Sequence, residues 1–278
     1  MAIAFFISFL ACIVGAVCGM GGGVIIKPVL DFIQFGSAST ISFMSGCTVL
    51  AMTTYSVGKS LLSGEKKVEM KTVTPLAIGA AVGGIMGKQL FNFIRDSASD
   101  RQMVGAVQAV ALALLTVGTL IYTLNKNRIK THRVENAAGC FAIGLGLGIV
   151  SSFLGIGGGP INLVVLYFFF SMETKTAAAN SLYIILFSQM ASVISTFVTG
   201  VPQFNPVALG FMMAGGVLGG IAGRKLTKKM DSRAVDKLFI FLMCFIILIN
   251  IYNAYVYAGT SLLLPRAEND FIFTIIGK

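Results

Sequence analysis

Residues 19–30 read GMGGGVIIKPVL, and residues 155–166 read GIGGGPINLVVL. Each stretch interrupts a long apolar run with three consecutive glycines and then resumes it. The first run extends from Ala2 to Phe35 and carries Lys27 well inside it. A glycine triplet favours a break, because glycine weakens helices and takes up positive φ freely. Irregular backbone at membrane depth is tolerated only where protein or water satisfies the freed amides. How these two breaks are used therefore decides the architecture.

A shift of 136 residues superposes the triplets without a gap. Gly19, Gly21, Gly22, Gly23, Gly64, Gly79, Gly83, Gly84 and Gly87 then land on Gly155, Gly157, Gly158, Gly159, Gly200, Gly215, Gly219, Gly220 and Gly223. GGIMGKQL at 83–90 meets GGIAGRKL at 219–226, Ser45 meets Ser181, and Asp100 and Arg101 meet Asp236 and Lys237. Self-similarity at a fixed period marks a duplicated unit. The first unit, 1–124, holds the broken segment 2–35 and spans near 39–63, 72–94 and 102–124. The second, 136–258, holds a broken segment near 137–170 and spans near 176–199, 207–227 and 238–258. Residues 125–135 connect them, and the tail 259–278 contains an apolar stretch, FIFTIIG, too short to span.

The composition is that of an all-α integral membrane protein. Hydrophobic residues make up 56% and charged residues 12% of 278, with mean hydropathy +0.86. A soluble domain is about 25% charged. Apolar runs of 20 or more residues suffice to cross a hydrocarbon core of about 30 Å. The net charge of +10 comes from basic residues in short connectors, which reads as cytoplasmic loops rather than a nucleic-acid surface. No charged n-region precedes the first apolar stretch, so no removable signal peptide is expected. The five cysteines lie in apolar spans without CxxC or metal spacing and read as packing residues. His132, the only histidine, sits in the basic connector KNRIKTHRVE and reads as solvated.

Charge also orients the units. If each broken segment crossed once, lysine and arginine would divide nine inside to ten outside. If each doubles back at its glycines, loops 64–71, 125–135, 171–175 and 224–237 share one face with fourteen of them, against five opposite. The positive-inside rule favours the second arrangement. It gives two inverted repeats, each a glycine-broken re-entrant or hairpin segment plus three transmembrane helices, with both termini extracytoplasmic in the cell membrane. Length agrees: two full crossings need about 40 apolar residues, and 2–35 offers 34.

Such breaks suit an anion. A returning half-helix begins with unpaired N–H groups and the positive end of a dipole. Inverted units with broken helices meeting near the midplane are recurrent in secondary transporters. Candidate substrate-binding residues are Gly21, Gly22, Gly23 and Lys27 in the first segment and Gly157, Gly158, Gly159 and Asn162 in the second. Pro160 directly follows its glycines, and Pro28 is read in the equivalent first turn. Lys27 is an ionisable residue at membrane depth, functional by default, although Asp31 at i+4 offers it a plain helix-surface partner. On the following spans Ser45, Asn180, Ser181 and Gln189 could donate to an anion's oxygens, with Thr53 less favoured, or could serve as interhelical hydrogen bonds. GGIMGK and GGIAGR read as close-packing surfaces.

The doubled glycine segments resemble those of the TauE/SafE sulfite exporter family, also called the toluene-sulfonate uptake permease family. The resemblance runs to about Tyr257. It implies a polytopic transporter for small anions such as sulfite, thiosulfate, sulfonates or sulfoacetate. The family's downstream proline is present as Pro28, whereas the second copy has Val164 there and Pro160 earlier.

A membrane-embedded enzyme is the competing class, and no catalytic residue is assigned. No GK[ST] follows GMGGG, Asp31 is the only acid clearly inside an apolar segment, and a Lys27–Ser45 dyad has no further support. A passive anion channel stays open as an alternative. No metal or cofactor is expected. The expected partners are a small anionic substrate and the lipid bilayer, with no nucleic acid. Proton coupling, sodium coupling and uncoupled transport remain alternatives, and the sequence does not fix an oligomeric state.

Overall fold

The computed structural model describes residues 2–63, 68–97, 101–154 and 158–263. They form ten α-helices: α1 (Ala2–Cys18), α2 (Gly23–Phe32), α3 (Ala38–Leu62), α4 (Met70–Ser97), α5 (Arg101–Asn125), α6 (Ala137–Phe153), α7 (Gly159–Phe170), α8 (Thr174–Thr199), α9 (Pro206–Lys229) and α10 (Ser232–Leu263). No strand occurs among the described residues. Shifted by 136 residues, the starts of α7, α8 and α9 fall on Gly23, Ala38 and Met70, the starts of α2, α3 and α4. Local chemistry sets the boundaries. The Ser37 hydroxyl accepts from Thr40 N at 3.2 Å, and Asn205 accepts from Val207 N and Ala208 N ahead of Pro206, which are ordinary N-caps. Positive φ at Gln34 and Ser171 turns the chain just beyond α2 and α7.

Four helices contain stretches long and apolar enough to cross a membrane, Met70–Ile94, Thr174–Thr199, Pro206–Lys229 and Ser232–Tyr252. The six long helices coincide with the six uninterrupted spans read from the sequence. The connector is less free than a solvated linker. A 3-10 turn covers Lys126–Arg128, His132 N donates to Phe168 O at 2.7 Å, and Val134 N donates to Phe169 O at 3.0 Å. His132 is exposed. Cys12, Cys18, Cys47 and Cys140 are buried thiols, while Cys244 is exposed on α10.

Helices from opposite halves pack on each other. Along α4, Gly79, Gly83 and Gly87 lie on the backbone of α6, where an added Cβ would come within 2.2, 2.1 and 2.3 Å of the carbonyl oxygens of Phe141, Leu145 and Ile149. Along α9, Gly215, Gly219 and Gly223 lie the same way on Phe5, Phe9 and Ile13 of α1, with oxygens at 2.7, 2.4 and 2.5 Å. Both pairs run parallel, and GGIMGK and GGIAGR are indeed close-packing surfaces. The matched helices α3 and α8 cross antiparallel: Phe43 faces Phe197, Gly46 meets Gln189, and Val49 and Ile185 both flank Gly21. The pair α5 and α10 is antiparallel too, joined by the Lys126–Asp236 ion pair at 2.7 Å and by Thr119 against Met243.

Candidate functional site

Both apolar runs break where glycine was read, and the first doubles back. Gly19 and Gly21 take φ of +74° and +68°, and Met20 N donates to Gly15 O at 3.0 Å. A Cβ on Gly22 would sit 2.5 Å from Cys12 Sγ, so the start of α2 lies against α1, ten residues back along the chain. In the second break Gly158 and Gly159 have φ of +107° and +22°. Only glycine accepts such backbone so close to a neighbouring helix. Pro160 stands in the first turn of α7 as expected. Pro28 does not: α2 already begins at Gly23, so Pro28 is its sixth residue and lies inside the helix. There it cannot donate to the Val24 carbonyl.

The breaks meet each other and the α3–α8 crossing. Gly21 lies between Val49 and Ile185, each the twelfth residue of its helix, so the bend is level with the middle of both. Gly23 faces Val49 and the Ser45 hydroxyl, the latter 3.4 Å from the position of an added Cβ. Gly159 touches Val24 across the two halves. Neither α2 nor α7 has a side-chain cap on its first turn, which leaves backbone N–H groups for another acceptor.

Asn162 is the most telling side chain here. It is fully buried, its amide reaches beside Gly158, and among the described residues neither its oxygen nor its nitrogen has a hydrogen-bond partner. A buried amide left unpaired costs about 1–3 kcal/mol, which makes Asn162 an expensive side chain to keep in the packing. Ser181 is also fully buried with an unpartnered hydroxyl.

Lys27 is half-buried, one helical turn beyond Gly23 and three residues beyond Val24. Helical spacing puts it on the same side of α2 as the contacts to Ser45 and Gly159. Phe32, which meets Tyr252 of α10 with rings 5.1 Å apart, lies on the opposite side. Asp31 follows Lys27 one turn further along α2.

The other candidates divide. Gln189 is buried against Gly46, its side-chain oxygen 3.1 Å from the position of an added Cβ there, at the α3–α8 crossing. Asn180 is committed to structure: its oxygen accepts from Glu69 N at 3.0 Å, holding the start of α4, and its nitrogen donates to Thr176 O. Thr53 donates back to Val49 O in its own helix. Gly157 lies outside the described residues.

One feature of the site has no forerunner in the sequence reading. A cavity of about 70 Å³ opens between α3, α8 and α9, lined by Ala16, Ser56, Ser60, Lys175, Arg224 and Lys228 among others. It lies near the first bend, because Gly19 packs on the backbone of Ala178, which also lines it. Lys175 and Arg224 were counted in the sequence only as loop charge. Ser56 and Ser60 recur at i and i+4 on α3, a polar edge that the cavity now explains.

Among known proteins, residues 4–250 match the family model described as Sulfite exporter TauE/SafE. The chain is 25% identical over 238 residues to the "Probable membrane transporter protein YunE" of Bacillus subtilis (strain 168), covering 80% of this chain and 86% of that one. No solved structure matches.

Proposed function

The chain belongs to the TauE/SafE sulfite exporter family and is a membrane transporter, and from that premise we propose that it carries a small anion by alternating access between two inverted units. The substrate class that best fits is a sulfur oxyanion or organosulfonate, bound where the glycine bends of α1–α2 and α6–α7 meet. Gly21 to Gly23, Gly158, Gly159 and the Asn162 side chain supply amides, Lys27 the full positive charge, and Ser45, Ser181 and Gln189 neighbouring polar groups. The antiparallel crossings of α3 with α8 and of α5 with α10 support opposite orientation of the halves, and the charge count supports a cytoplasmic face for loops 64–71, 125–135, 171–175 and 224–237 with both termini outside.

The observation that carries the anion reading is Asn162: fully buried, unpartnered on both amide atoms, and set beside a positive-φ glycine at an uncapped helix start. Its N–H donors and those of the helix start match an oxyanion's several acceptors. Lys27 adds a charge on one half only, since its mate is the buried Leu163, and a single cation suits a mono- or dianion. The chemistry is binding and release, so every group named acts by desolvating and pairing the anion.

The test is a thermal-shift screen of purified protein against sulfite, thiosulfate, sulfonates, carboxylates and chloride. A bound anion at 100 times its Kd stabilises the folded protein by ~2.7 kcal/mol. Stabilisation by the sulfur anions, lost in Lys27→Ala, is the expected result; no stabilisation by any anion sinks the proposal. In liposomes, saturable flux with counterflow separates a carrier from a passive channel, and imposed proton or sodium gradients reveal coupling.

A further inference from the structure

Lys126 stands one residue beyond α5, at the junction of the two halves. Its ammonium lies 2.7 Å from both carboxylate oxygens of Asp236, 3.1 Å from the Thr174 hydroxyl and 4.8 Å from the centre of the Tyr167 ring. The Thr174 hydroxyl in turn donates to Asp236 Oδ1 at 3.0 Å. These three partners belong to the second half: Tyr167 to α7, Thr174 to the first turn of α8, and Asp236 to the beginning of α10. One cation at the end of α5 is thus gripped by three helices. Thr174 and Tyr167 are buried, and the side chains of the ion pair are only 20% and 24% exposed. A lysine that meets both oxygens of a carboxylate, shielded from water, is held far more firmly than an exposed surface pair.

The cluster sits close to both glycine breaks. Gly19 packs on the backbone of Ala178, one helical turn along α8 from Thr174. Cys18, beside Gly19 at the end of α1, is buried. Tyr167 lies on the same short helix as Gly159 and Asn162. Beyond Lys126 the connector is fastened to the end of α7 by neutral bonds, His132 N to Phe168 O, Val134 N to Phe169 O, and the Ser171 hydroxyl to His132 O at 2.9 Å. None of these bonds involves Lys126, so the connector can stay on α7 while the ion pair parts.

We propose that Lys126, Asp236, Thr174 and Tyr167 form a gate, closed in this structure, which must part for an anion to pass between the connector face and the glycine bends. The proposal rests on the alternating-access reading above, on whose topology this face is cytoplasmic. Two repeats that rock against each other lose the contacts joining them on the side that opens. Such a contact needs two discrete states, made and broken, and a compact ion pair supplies them. A plain staple for the connector would have the same geometry but would never separate.

Cys18 reports the opening. In a background that keeps it and replaces the other four cysteines, purified protein in detergent is labelled with N-ethylmaleimide. Lys126→Gln or Asp236→Asn should raise the labelling rate about tenfold, the worth of one hydrogen bond to a charged group. Lys126→Asp combined with Asp236→Lys restores the pair and should return the rate close to its starting value; a rate that stays high there marks local unfolding and counts against the gate. In a cysteine-free background, Lys126→Cys and Asp236→Cys are then bridged by a short bis-methanethiosulfonate. Thiosulfate counterflow in liposomes should stop on bridging and return on reduction. Labelling of Cys18 indifferent to both single variants, or counterflow unchanged by the bridge, would overturn the gate. Pair-dependent labelling in a protein that no anion stabilises or crosses defeats the transport reading alone. Anion stabilisation lost in Lys27→Ala, with Cys18 labelling unmoved by the variants, defeats the gate alone.

Discussion

On the proposed anion reading, Asn162 sets stability against function in one residue. Its buried amide lacks partners, and its mate in the first half is Ile26, apolar and fully buried. Asn162→Leu keeps the volume and removes the unmet polar atoms. The ligand-free variant should therefore be more stable, by ~1–2 kcal/mol, and should lose anion-induced stabilisation in the same melting experiment. Loss of ligand-free stability with anion binding intact would place Asn162 in the packing instead. Lys27 poses the reverse case. It is half-buried beside Asp31, so Lys27→Ala should leave a folded protein whose anion affinity falls by ~10–100-fold, the usual worth of a charged hydrogen bond. Isothermal titration of the purified variant reads this directly, and unchanged affinity removes Lys27 from the site.

Helix packing turns on glycines whose roles differ sharply by position. Gly83 admits no side chain, because a Cβ there would press to 2.1 Å of the Leu145 carbonyl oxygen. Gly118 on α5 has nothing within 4 Å of the same position. Gly83→Ala should cost ~1–3 kcal/mol by forcing α4 from α6, whereas Gly118→Ala should stabilise by up to ~1 kcal/mol through helix propensity. Thermal unfolding of the two variants side by side checks the pair. The spacing of Gly79, Gly83 and Gly87 made a packing row legible in the sequence, since four-residue steps stay on one helix face. The partner helix was not legible, because a row of glycines fits any backbone. The same limit explains Pro28: its place inside α2 follows from where the bend starts the helix, and that depends on contacts of Gly21 and Gly23 with α3 and α8. The partner of Asn180 was not legible for a related reason, as its bond to Glu69 N joins two segments 111 residues apart.

At the scale of the molecule, the duplication, the two breaks and the six long spans could be read because glycine spacing and hydropathy are local signals. The basic cavity could not, since Ser60, Lys175 and Arg224 are brought together only when helices of opposite halves pack. Orientation sits between these cases: loop charge indicates it, and antiparallel crossing of matched helices supports it. Inversion makes a specific demand on the loops. The end of α9 must share a face with the start of α4, while the α8–α9 connection must lie on the other. In a background with the five native cysteines replaced, Lys71→Cys and Lys228→Cys, both at exposed positions, should react with an impermeant maleimide from the cytoplasmic side only. Gln203→Cys, exposed beside the Thr40 hydroxyl that donates to its carbonyl at 2.8 Å, should react from the opposite side only. Lys71 and Lys228 labelled from different faces would mean that a broken segment crosses the bilayer rather than returning. The bends could then no longer face each other as halves of one anion site, whatever the affinity of either.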